Sequence, residues 1–155
     1  MSRRPAISVH KAALALALIA GAVAVGCGGE DVKRLTRAEF ISRADAICKA
    51  TSAKLSSLPP SKGLEKVDEE ANAIITVSAN ALAAFRKLEP PLELEQQVTQ
   101  MTALIAKQIE ITGVLANAVS KRDTKAVEAL ARAGDRLRER SSSLAQQIGL
   151  KECGR

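Results

Sequence analysis

The chain has 155 residues with 23 basic and 17 acidic side chains, a single His, two Phe, and no Trp or Tyr. Such a length sustains one domain with one core and not two. An aromatic content of 1% removes the stacking platforms that single-stranded nucleic acids use and the aromatic hot spots of most protein interfaces.

The first 26 residues stand apart in composition. Arg3, Arg4 and Lys11 make a basic start, and the run from Ala12 to Val25 is uncharged and rich in Ala, Leu and Val. It suits the apolar part of an export signal and falls short of the roughly 20 residues of a membrane span. Arg3-Arg4 is followed by Pro5 and Ala6, so the pair reads as a charged leader, with the pathway for folded proteins as the alternative. The four residues Ala24-Val25-Gly26-Cys27 resemble the lipobox of bacterial lipoproteins, with the small Gly26 just ahead of the cysteine. That resemblance implies cleavage before Cys27, acylation of Cys27, and a lipid anchor on the extracytoplasmic face of the cell membrane. Ala22-Val23-Ala24 also meets the small-x-small rule of the general signal peptidase, and a secreted soluble form is the alternative.

The expected organisation is a signal at residues 1–26, a lipidated Cys27 with a short linker to residue 35, and a helical domain over residues 36–155. Cleavage leaves 129 of the 155 residues, with 20 basic and 17 acidic groups and a formal charge of +3. The sequence pI of about 9.5 therefore gives no ground for nucleic acid as a partner. His10 leaves with the signal. Without His the mature chain has no Ser/His/Asp or Cys/His nucleophile system, no Glu-x-x-His di-iron site, no His-ligated haem and no conventional zinc site. Met101 falls on a predicted core face, which leaves a thioether copper site unsupported. No cofactor, no metal and no enzymatic activity are expected; a carboxylate-dependent enzyme acting on wall material is the remaining catalytic alternative.

From Thr36 onward apolar residues recur at spacings of three and four, and four helices are predicted. Thr36 and Glu39 make a capping box at the first start, followed by an apolar face of Phe40, Ala44, Ile47, Cys48, Thr51, Leu55 and Leu58. Pro59-Pro60 ends this helix, and Ser61-Lys62-Gly63 completes the turn. The second helix runs from about Leu64 to Leu88, burying Leu64, Val67, Ala71, Ile74, Ser78, Leu82 and Phe85, and Pro90-Pro91 ends it. The third runs from about Leu92 to Val119 on Leu94, Val98, Met101, Ile105, Thr112, Leu115 and Val119. Asp123 caps the fourth, which presents Val127, Leu130, Gly134, Leu137, Leu144 and Ile148 before Gly149 stops it. Helices of about 22 to 27 residues joined by short loops make an all-α antiparallel up-and-down four-helix bundle, roughly 30 to 40 Å long.

With Cys27 assigned to lipid, Cys48 and Cys153 remain and can pair in an oxidising compartment; two buried or free thiols are the alternative. The segments Ala38-Glu39-Phe40-Ile41, Ala44-Asp45-Ala46-Ile47-Cys48 and Gly149-Leu150-Lys151-Glu152-Cys153-Gly154 are similar to those of small exported or lipid-anchored helical proteins of high-GC Gram-positive bacteria. The resemblance implies a helical fold and a disulfide between the first mature helix and the C-terminus. It implies no particular activity.

Three groups of polar residues merit separate readings. Glu65, Asp68, Glu69 and Glu70 open the second helix, where the dipole favours negative charge on a solvated face; holding a hard cation or acid–base work is the alternative. Arg132, Arg136 and Arg140, with Lys125 further up the same side, form a stripe that Glu128, Asp135 and Glu139 offset. The stripe is either a salt-laced helix face or a contact for anionic lipid or an acidic wall polymer. Thr51, Ser78, Thr112, Ser141 and Gly134 fall at core-facing positions; they line a ligand cavity or simply let helices approach, with hydroxyls bonded one turn back.

The expected function is that of a lipid-anchored envelope protein with a non-catalytic binding or scaffolding role. The alternative is a bundle that binds a solute or lipid in an internal cavity.

Overall fold

Glu39 accepts the N–H and the hydroxyl of Thr36 on Oε2, at 2.9 and 2.7 Å, while its own N–H donates to the Thr36 hydroxyl oxygen. This reciprocal cap starts α1, Arg37–Ser56, in the computed structural model, which describes residues 33–60 and 63–154. The expected signal, Cys27 and most of the linker lie outside the described residues. α2 spans Val67–Arg86, α3 Glu95–Ser120 and α4 Thr124–Ile148. The four helices pack together, and among the described residues there is no strand.

Two boundaries differ from the sequence expectation. The second and third helices each open with a 3₁₀ turn, Leu64–Lys66 and Leu92–Leu94, so α2 begins only at Val67 and α3 at Glu95. With three residues per turn instead of 3.6, side chains in these turns fall out of phase with the helical stripe that follows. Leu64 is consequently 49% exposed rather than buried, and Leu92 70% exposed, whereas Leu94 is in the core.

A buried cluster draws on all four helices. Phe40 and Ala44 from α1, Phe85 from α2, Val98 and Met101 from α3, and Ala145 and Ile148 from α4 form one cluster with Leu94 and Leu150. Phe40 and Phe85 meet edge to face, ring centroids 5.8 Å apart at 89°, the arrangement that ring quadrupoles favour. The chain enters beside this cluster: the Leu35 N–H donates to the Glu89 carbonyl at 2.9 Å. Arg34 donates to the Pro90 carbonyl at 3.0 Å and pairs with Glu95 at 3.1 Å.

The turn from α3 to α4 is short because two residues share its work. Arg122 adopts φ +58°, so that its N–H reaches the Val119 carbonyl and the Asp123 N–H reaches the Ala118 carbonyl, each at 2.9 Å. Asp123 then caps α4 by accepting the Ala126 N–H at 3.0 Å.

α4 ends in the same way at Gly149, whose φ of +99° suits a residue without Cβ. The Leu150 N–H closes on the Ala145 carbonyl at 2.9 Å, which returns the Leu150 side chain to the core at 3% exposure. The tail then doubles back, with Gly154 beside Ser142 and Ala145. Cys48 and Cys153 form a disulfide with Cα atoms 5.1 Å apart and a sequence separation of 105.

Candidate functional site

α1 leans on α2, α2 on α3, and α3 on α4, whereas α1 is tied to the α4 side through the segment at and after Ile148. The ties lie on one face of α1, at spacings of eight and three residues. Arg37 donates to the Ile148 carbonyl at 2.9 Å, the Asp45 carboxylate accepts the Lys151 and Glu152 N–H groups at 2.9 Å each, and Cys48 is bonded to Cys153. Beyond Cys48 the helix is free of these ties, and a cleft of about 470 Å³ lies between it and the other three helices.

The cleft has an apolar body. Ile47 and Leu55 of α1, Leu82 and Phe85 of α2, and Met101 and Ile105 of α3 line it, with the disulfide at one edge. Part of its polar wall is engaged internally. Thr51 donates to the Ile47 carbonyl at 2.8 Å, and Ser141 donates to the Arg138 carbonyl at 2.9 Å while accepting Gln108 Nε2 at 2.9 Å. Two charged residues line the same space, Arg138 on α4 and Glu152 on the tail. Arg138 pairs with Asp135 at 3.5 Å, both side chains more than 70% exposed.

Three of the hydroxyl residues expected at core positions, Thr51, Ser78 and Ser141, come together on this cleft. Thr112 and Gly134 do not; they line a separate depression of about 230 Å³ between α3 and α4. Gln108, Arg138 and Glu152 escaped the sequence reading. Gln108 carried a signal, a polar residue in the stripe between Ile105 and Thr112.

The arginine stripe is exposed. Arg132 pairs with Glu128 at 3.6 Å, and Arg140 flanks a shallow depression with Lys107 over Leu104 and Leu144. Lys125 lies in the first turn of α4, about 22 Å along the helix from Arg140 at 1.5 Å per residue. The acidic residues at the start of α2 do not converge: Asp68 accepts the Ser120 hydroxyl at 3.1 Å, Glu65 and Glu69 are exposed, and Glu70 has a partner of its own. Among the described residues no group of three or more His, Cys, Asp or Glu is placed to hold a metal ion, and no helix is long and apolar enough to cross a membrane.

No family model, curated protein or solved structure matches this chain. The reading of its function therefore rests on the cleft, the disulfide and the N-terminal motif.

Proposed function

We propose that the chain is a lipid-anchored, extracytoplasmic binding protein without catalytic activity, and that its ligand sits in the cleft between α1 and the other helices. The observation that carries this reading is the cleft itself. Its volume of about 470 Å³ falls in the range of small-molecule sites, and its lining combines apolar side chains with hydroxyl, amide and charged groups. The four helices follow an antiparallel up-and-down path in this reading. Residues from the starts of α1 and α3 and from the ends of α2 and α4 contribute to one core cluster, and the connections are short.

The extracytoplasmic address is supported by the Ala24-Val25-Gly26-Cys27 motif and by a disulfide, a bond that persists in oxidising compartments. The two or three lipid chains that such processing attaches give a stable anchor. From Cys27 to Arg34 the chain reaches at most about 25 Å, so the end carrying Arg34, Glu89 and Pro90 stays close to the surface. Arg132, Arg136 and Arg140, with Lys125, then serve as a contact for anionic head groups or wall polymer. Each contributes on the order of 1 kcal/mol near an anionic surface.

The test has two arms. Native protein should fractionate with membranes, and Cys27→Ser should release it or leave the precursor uncut; a soluble native form beginning at Val25 refutes the anchor. For the cleft, the melting temperature of the purified domain is compared with and without an organic extract of the host envelope. Stabilisation that disappears in Thr51→Phe, which fills the cleft from α1, supports a binding protein. An unchanged melting temperature in both supports a scaffold instead.

A further inference from the structure

We infer that the cleft takes an anionic amphiphile, a single apolar chain along the body of the cleft with its carboxylate or phosphate head at Arg138. This rests on the binding reading above and names its ligand class.

The apolar half of the assignment follows from how the wall is built. Thr51, Ser141 and Gln108 lie deep enough to recognise a polar body, yet the first two spend their protons on helix carbonyls and Gln108 donates to Ser141. Phe85, Met101 and Leu82 make a buried apolar wall, 3%, 1% and 8% exposed, and the one polar lining side chain buried to the same degree, Ser141, is already bonded to the Arg138 carbonyl and to Gln108. A sugar or a nucleobase would lose its hydration against these apolar side chains, and the lining offers no Trp or Tyr face and only one Phe for stacking. An alkyl chain loses nothing of this kind. Met101 and the Cys48–Cys153 sulfurs add soft, polarisable surface for it.

The sign of the head group follows from the two charged residues. Glu152 and Asp45, whose carboxylate holds the Glu152 N–H, repel an anion at the tail side of the cleft, so an anionic head can be held only at the cationic lining residue Arg138. Arg138 is held by one exposed contact to Asp135, an ion pair of the weak kind, through one of its guanidinium nitrogens. The guanidinium fork matches a carboxylate or phosphate in two-point geometry. The head group therefore competes with Asp135 for Arg138 at small cost, while the chain lies inward.

The experiment uses the domain produced without residues 1–27, which retains the compact unit Val32–Arg155, and calorimetric titration below micelle-forming concentrations. Dodecanoate, dodecyl phosphate, dodecanol and dodecyltrimethylammonium are compared. The two anions should bind tightest, and shortening dodecanoate by two methylenes should weaken it about tenfold. Arg138→Gln, an exposed substitution that leaves the fold intact, should weaken the anions about tenfold or more and leave dodecanol unchanged. Asp135→Asn should tighten them by freeing the guanidinium. Equal binding of all four heads, or preference for the cation, overturns the head-group assignment while leaving a chain-binding cleft. Binding of none overturns the ligand class, and the envelope-extract measurement then decides separately whether the cleft binds anything. A preference for dodecyl phosphate over dodecanoate, or the reverse, distinguishes a lipid head from a free fatty acid within the proposal.

Discussion

The carboxylate of Asp45 accepts the backbone N–H of Lys151 on both oxygens, at 2.9 and 3.1 Å, across 106 residues of sequence. The same carboxylate holds the N–H of Glu152. These donors follow the end of α4, where the chain has left the helix and has no regular partner for its amides. One side chain of α1 thus sets the path of the tail and brings Cys153 to Cys48.

Replacing Asp45 by Ala should lower stability by about 1.5 to 3 kcal/mol, the range for hydrogen bonds to a charged group. Hydrogen exchange at Lys151 and Glu152 should accelerate far more than at the α3–α4 turn. Asp45→Asn, which keeps one acceptor oxygen, should fall between the two. A melting temperature unchanged in Asp45→Ala would show that the disulfide alone fixes the tail.

Breaking the disulfide removes a constraint on a loop of 105 residues. The loop-entropy relation puts this at roughly 4 to 5 kcal/mol of stability before any strain is considered. Cys48→Ser with Cys153→Ser should therefore melt well below the oxidised protein. Because both cysteines line the cleft, the variant should also show weaker stabilisation by dodecanoate than the parent. Equal melting temperatures would refute the constraint.

Gly134 lies inside α4, and a Cβ built there meets Ile111 at 3.8 Å, an ordinary contact. Close approach of α3 and α4 does not require a glycine at this position. Gly134→Ala should raise stability by about 1 kcal/mol through helix propensity, readable as a shift of a few degrees in the melting temperature. A loss of stability would mean that the helices draw closer than this geometry.

The Thr36 N–H and hydroxyl hold the Glu39 carboxyl below its ordinary range, chiefly through the backbone hydrogen bond, with Arg43 and Lys33 adding smaller favourable charge effects. A depressed carboxylate contributes stability that is complete above the unfolded value and is lost as pH falls through the folded one. Fraying of α1 at Arg37 and Ala38 should thus appear only on acidification into that range. Glu39→Gln should abolish this dependence, which amide exchange at the α1 start can follow.

Helix ends were the most legible part of the sequence, because caps are local chemistry. Thr36 with Glu39, Asp123, and Gly149 stand where the structure uses them. Arg122 was not legible, since it takes a left-handed conformation that glycine or asparagine usually signals. Leu64 misled for a different reason: periodicity assumes 3.6 residues per turn, and the 3₁₀ turn that opens α2 does not keep it. The cleft was only half visible. Thr51, Ser78 and Ser141 marked a polar layer, but the opening beside them depends on α1 being tied to the tail at Arg37, Asp45 and Cys48 and not beyond. Such long-range ties leave no periodic trace in a single sequence.

The covalent bridge has a further consequence for survival in a protease-rich setting. Pro59, Pro60 and Gly63 are exposed between α1 and α2, where a protease finds accessible backbone. A single cut anywhere between residues 48 and 153 leaves two polypeptides joined through Cys48 and Cys153. The nicked protein remains one molecule, and whatever holds its N-terminus continues to hold the whole.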